Sequence, residues 1–150
     1  MNKIIIIAIS FIFYNCACQE RSIAVENLSA SYESWVAGVR GGGSGINFYV
    51  DLKTELSKEI ELKKVIFRGY EVPFEKQDNF HFIARIKTEG NQQKFDGDDS
   101  QIYTSPKNAL TLAENEAILI FLKNGKEIRQ TIKEVKEKPM LLYPSAKPKN

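Results

Sequence analysis

The chain has 150 residues, with 21 basic and 19 acidic side chains and a formal net charge of +2. This near balance argues against the concentrated basic surface that nucleic acid binding needs, so no nucleic-acid partner is expected. The length suits a single domain with a sizeable core, and neither an internal repeat nor a second domain is visible. One histidine and two cysteines leave few metal ligands, and we predict no cofactor.

The N-terminus predicts a signal peptide. Lys3 precedes an apolar run over residues 4–13, which is shorter than the roughly 20 residues that span a bilayer. Cys16 and Cys18 follow, and the second resembles the lipidated cysteine of a bacterial lipobox. We interpret residues 1–17 as a lipoprotein signal peptide cleaved before Cys18. Lipidation at Cys16, or simple cleavage to a soluble secreted protein, stays open.

Residues 35–52 organise the rest of the chain, because they hold five of its nine glycines. Apolar and polar residues alternate on both sides of these glycines, which is typical of strands with one buried face. We therefore predict strands over residues 32–40 and 46–52, joined by a glycine-rich connection. Residues 18–31 are interpreted as a tether or a first edge strand.

Further strands are predicted over residues 62–72, 80–87, 101–104, 117–123, 126–133 and 140–143. A bulge is expected at Gly69, and Asn124-Gly125 is the dipeptide of a type I′ hairpin turn. The charged residues 53–61 could form a helical turn or a polar crossover.

About eight short strands at this spacing predict an all-β domain over residues 32–144. A single antiparallel β-sandwich, immunoglobulin-like in the loose sense, is favoured over a closed barrel. Residues 145–150 are expected to form a disordered tail.

The glycine-rich connection is the first candidate site. It lacks the G-x-x-x-x-G-K-[ST] pattern and the following helix of a phosphate-binding loop. A flexible turn explains the glycines, although such a loop also lets a partner approach the backbone closely. The candidate partner-binding residues are Arg40, Gly42, Gly43, Ser44 and Tyr49.

Other side chains offer weaker candidates. Asp96, Asp98 and Asp99 could supply oxygen ligands to a metal, but they lack the spacing of an EF-hand, and a solvated acidic turn is favoured. The only histidine, His81, has no nucleophile signature near it and is interpreted as a surface residue. Trp35 is expected in the core, and Tyr49 on the polar face of its strand is the best aromatic contact for a ligand.

The signal peptide, the lipobox-like cysteine, the Lys-, Ile- and Asn-rich composition and the W-x-x-G-x-x-G-G-G-S-G pattern of residues 35–45 occur together. In this combination the chain resembles small uncharacterised secreted lipoproteins of flavobacteria-like bacteria. The resemblance implies a location and a fold, and it carries over no catalytic residues.

Three functions follow in order of preference. The first is a non-enzymatic cell-envelope lipoprotein, a binding or structural module that is held at a bacterial membrane by its lipid and meets an unknown protein or glycan. The second is a secreted carbohydrate- or metal-binding accessory domain. The third is a hydrolase, which is least favoured because no nucleophile and base are visible.

Overall fold

The computed structural model describes residues 25, 27–92 and 104–143, and all regular structure within them is β. In these residues ten strands form two sheets that pack face to face, so the predicted β-sandwich is confirmed. The strands are β1 (Leu28–Val36), β2 (Ser44–Leu52), β3 (Ile60–Phe67), β4 (Tyr70–Pro73), β5 (Glu75–Lys76), β6 (His81–Thr88), β7 (Ala117–Lys123), β8 (Lys126–Ile132), β9 (Lys136–Glu137) and β10 (Leu141–Leu142).

The larger sheet has the order β10-β1-β2-β6-β5, with β9 also paired to β1, and the smaller sheet has the order β4-β3-β7-β8. Neighbouring strands are antiparallel, except that β9 and β10 both run parallel to β1. The sheets are therefore mostly antiparallel, and three of the ten strands, β4, β5 and β9, were not predicted as separate elements. Of the predicted strand over residues 101–104, the structure describes only Thr104, which is not part of a strand.

Alternating side chains of both sheets form the core between them. On β2, Phe48 and Val50 are fully buried, and the Phe48 ring lies 5.0 Å from the ring of Phe67 in the opposite sheet. Tyr32 of β1 meets the same phenylalanine at 5.1 Å between centroids. Because burying one such side chain contributes about 1.5–3 kcal/mol, this aromatic contact is a main link between the sheets.

The first strand is shifted relative to its predicted position over residues 32–40. It begins at Leu28, which pairs with Leu52, and it ends at Val36, opposite Ser44. The strand thus starts inside the segment that was interpreted as a tether or edge strand. The predicted crossover is present as residues 53–59, which connect the two sheets without a helix.

Gly69 lies in a tight turn, so the expected bulge within one long strand is wrong. Arg68 has φ of 48° and Gly69 has φ of 79°, which is the pair of positive values that a type I′ turn requires. Because arginine seldom adopts positive φ, the sequence pattern does not indicate a turn here. The Arg68 side chain then donates from Nη2 to the hydroxyl of Tyr32, 2.7 Å away, and so joins the sheets.

The hairpin at Asn124-Gly125 is confirmed. It connects β7 and β8, which pair from Lys123 and Lys126 onwards, and φ is 49° at Asn124 and 79° at Gly125. We expect Gly125→Val to destabilise the domain by about 1–2 kcal/mol, because a β-branched side chain resists positive φ. The free energy of unfolding in urea measures this effect.

Lys126→Val is the matched control for that substitution. It places a valine at the next residue, which is an exposed strand position where valine is well tolerated. Equal stability of the two variants would contradict the role assigned to the turn.

Candidate functional site

A groove of about 480 Å³ lies on the outer face of the larger sheet. Its lining includes six aromatic and polar residues from β1, β2, β6 and the segment that follows β10: Glu33, Trp35, Asn47, Tyr49, Arg85 and Tyr143. The strand register produces this arrangement, because residues directly opposite each other on paired strands share a face. Glu33, Asn47 and Arg85 form one such row across three strands.

Trp35 lies in this groove, so its expected place in the core is wrong. The alternation of β1 turns Ala30 and Tyr32 inward, and Trp35 has the opposite parity. Its ring packs edge-on against Tyr143, with 6.0 Å between centroids and an angle of 77° between planes. The two rings form the apolar end of the groove.

Tyr49 lies on the outer face, as predicted, and is held by its neighbours. Its hydroxyl donates to Oε1 of Glu33, and Nδ2 of Asn47 donates to the same oxygen over 3.2 Å. Burial and the Glu33 carboxylate raise the pKa of Tyr49 to about 12. The phenol therefore stays a neutral donor at physiological pH, and the carboxylate keeps a fixed position.

Three cations lie at the groove: Arg85 and Lys87 line it, and Lys138 lies over one of its rings. Arg85 forms an ion pair with Glu75 on the neighbouring strand β5. The Nζ of Lys138 lies over the ring of Tyr49, 4.2 Å from the centroid. The groove thus combines aromatic surface, fixed hydrogen-bonding groups and positive charge, which together suit a polar ligand with an apolar face.

The glycine loop is built around a residue that the sequence analysis missed, Asn91. Its Nδ2 lies within hydrogen-bonding distance of the carbonyl oxygens of Ala37, Val39 and Gly43, at 3.0, 3.1 and 3.2 Å. Its own carbonyl accepts from the amide of Gly43. The positive φ of Asn91, 49°, is typical of asparagine in turns and is the only local sign of this role.

Backbone geometry accounts for the predicted loop candidates. Gly43 has φ of 86°, and a Cβ on Gly42 would lie 2.6 Å from the Cβ of Ala37. Ser44 is the first residue of β2, and its hydroxyl is bonded to Thr88 at 2.7 Å. Arg40 is exposed. These residues lie together in or beside the loop.

Tyr49 lies apart from that loop. It follows Gly45 by four residues on β2, which at about 3.3 Å per residue places it about 13 Å further along the sheet. The structure therefore groups Tyr49 with Trp35, Glu33 and Asn47, and the last two are not among the candidates that the sequence predicts.

His81 lies at the other end of the sheet. Its Nδ1 is 2.8 Å from Asp78 and its Nε2 is 3.8 Å from Asp51, and all three side chains are more than 40% exposed. Hydrogen bonds from the Phe80 amide and from His81 lower the pKa of Asp78. His81 is not among the residues lining the groove.

Within the described parts of the chain, no group of three or more His, Cys, Asp or Glu is arranged to hold a metal ion. The weak metal candidates Asp96, Asp98 and Asp99 lie outside those parts, as do Cys16 and Cys18. The described residues also form no helix that is long and apolar enough to cross a membrane.

Comparison of the chain with protein-family models, curated protein sequences and solved structures found no match.

Gly45 connects the loop to the groove, and its substitution is a sharp test of this geometry. A Cβ there would press against the carbonyl oxygen of Ile86 and lie 2.7 Å from two ring atoms of Trp35. We expect Gly45→Ala to cost about 1–3 kcal/mol, as overpacking does, and to change the emission of Trp35, the only tryptophan. Urea unfolding and fluorescence measure both effects.

Gly69→Ala is the control. A Cβ at Gly69 would meet nothing within 4 Å, and φ is positive there but not at Gly45. This variant therefore adds backbone strain without any steric contact near Trp35. An unchanged tryptophan spectrum in folded Gly45→Ala protein would show that the ring does not lie against this glycine.

Proposed function

We propose that this protein is a lipoprotein of the bacterial cell envelope whose β-sandwich is a non-enzymatic saccharide-binding module. The groove on the outer face of the larger sheet carries the proposal. It presents the exposed ring of Tyr143 beside Trp35, together with polar atoms whose positions are already fixed. The sequence leaves a protein or a glycan open as the partner, and we propose the glycan.

The chemistry of a sugar matches that surface. A pyranose ring has an apolar face of C–H groups that packs on aromatic rings, and its hydroxyls both donate and accept hydrogen bonds. Glu33 offers an acceptor and Asn47 an amide. Asn47 is only 9% exposed, and its Nδ2 donates to Glu33, so both groups are held in place. Groups held in place before binding lose little entropy when the ligand arrives, which favours affinity.

Binding without catalysis is supported by the state of the carboxylates. Glycoside hydrolysis in most families needs two carboxyl groups on either side of the scissile bond. Glu33 accepts hydrogen bonds from two side chains, and Glu75 is bound to Arg85. Both carboxylates are thus already bound by side chains of the protein itself, so we place the hydrolase last.

The proposed lipid anchor is compatible with a groove that faces outward. β1 begins at Leu28, and Trp35 is seven residues further along it, at about 3.3 Å per residue or roughly 23 Å. A membrane anchor at Cys18 would attach at the Leu28 end of the sheet. The Trp35 end of the groove and the glycine loop lie at the opposite end of β1 from that attachment.

Lipidation has its own test. We expect the native protein to partition into a detergent phase and its intact mass to include a diacylglyceryl group. Cys18→Ala should abolish the acylation, whereas Cys16→Ala should leave it in place. A native protein that partitions into water with Gln19 as its unmodified N-terminus would refute the anchor.

The binding module is tested by a glycan array. We expect Tyr143→Ala to lower glycan binding at least tenfold, because Tyr143 is 49% exposed and its ring faces the groove. Phe80→Ala is the control, since it removes an aromatic residue that is 38% exposed at the opposite end of the same sheet. Equal binding by both variants, or no binding by the wild type, would refute the saccharide groove.

A further inference from the structure

We infer that the saccharide carries a carboxylate, so that the groove selects chains containing uronic acid over neutral ones. The inference rests on the proposed function and specifies its ligand. It is carried by the position of Lys138, whose ammonium group lies over Tyr49 at the edge of the groove.

Lys138 is held in that position by the backbone. Its amide donates to the carbonyl of Tyr32 over 2.7 Å, directly after β9, and Pro139 follows it. The ammonium then lies 4.2 Å from the Tyr49 ring centroid, within the range of a cation–π contact. A ring holds a cation in place without neutralising it, so the site is ready for an anion.

The charge on Lys138 is not compensated by the described residues. Lys63, Lys64 and Lys107 each form an ion pair with a glutamate, and Arg85 of the groove is paired with Glu75. Lys138 has no such carboxylate within 4.0 Å among the residues that the structure describes. A ligand carboxylate could supply this missing partner.

The covered ring of Tyr49 favours an acidic sugar over a neutral one. A neutral sugar that stacked on Tyr49 would have to displace the ammonium from the ring. A uronic acid can leave Lys138 where it is, with its carboxylate on the ammonium and its ring against Trp35 and Tyr143. Glu33, on the same face, repels a carboxylate and would direct it to the Lys138 side.

The position of the groove favours a saccharide over an acidic peptide. A peptide that adds to a sheet needs the unpaired backbone of an edge strand. The groove lies instead on the face of β1, β2 and β6, and β2 is paired on both sides. Contacts there must come from side chains, which suits the many hydroxyls of a sugar.

The test uses the full chain in a mild detergent, titrated with polygalacturonate, polymannuronate and hyaluronan and followed by calorimetry and Trp35 fluorescence. Each polymer is compared with its carboxyl-reduced counterpart, which keeps the sugar ring and linkage and loses the charge. We expect at least one uronate polymer to bind at least tenfold more tightly than its reduced form. Lys138→Met should remove that preference, whereas Lys126→Met, which loses a charge on the other sheet, should keep it.

The remaining outcomes separate this inference from the proposed function. Equal binding of charged and reduced polymers would overturn the acidic ligand and leave the saccharide groove standing. Poly-glutamate is titrated in the same way. Its binding, with no binding of any saccharide, would overturn both and would assign the groove to acidic peptides. No binding of any of these polymers would overturn the acidic ligand, and binding on the glycan array would then decide whether the groove takes another saccharide. A changed melting temperature in Lys138→Met would be checked with Lys138→Arg, which should retain the preference.

Discussion

The register between β1 and β2 is the constraint on which the rest of the structure depends. The two strands pair without interruption from Leu28 opposite Leu52 to Val36 opposite Ser44. Because side chains alternate between faces, a slip of one residue would send every core residue of a strand outward. The loop that closes this pair is therefore more than a connection. Asn91 fixes its carbonyl groups from a neighbouring turn, and its glycines adopt the conformations that the closure requires.

The same register builds the core and the groove at once. It turns Tyr32 and Phe48 toward the second sheet, where both are fully buried, and it turns Trp35 and Tyr49 outward. Gly45, the second residue of β2, serves the groove directly. It lies opposite Trp35, and the absence of a side chain lets the indole lie close to the sheet. The path of the β2 backbone and the position of a groove side chain are thus coupled at Gly45.

Sequence periodicity predicted most of this fold and little of the groove. The alternation in β2 and β6 and the Asn124-Gly125 dipeptide each indicated their elements, because local chemistry determines them. Trp35 was assigned to the wrong face, since alternation gives the period of a strand without its phase. Glu33 and Asn47 belong to the groove only through pairing across strands, which no single stretch of sequence records. The turn at Arg68 was hidden because arginine is not a usual turn residue.

The C-terminal edge shows how an irregularity can complete such a surface. Lys136 lies opposite Ser31, whereas Leu141 lies opposite Trp35, so the chain gains one residue relative to β1 between β9 and β10. Pro139 lies in that gap and, without an amide hydrogen, cannot continue the pairing. The extra residue reverses the alternation. Lys138 before it and Tyr143 after it therefore reach the same outer face, which strict alternation would forbid for residues five apart. The break in the edge strand is what brings the cation and the ring to one groove.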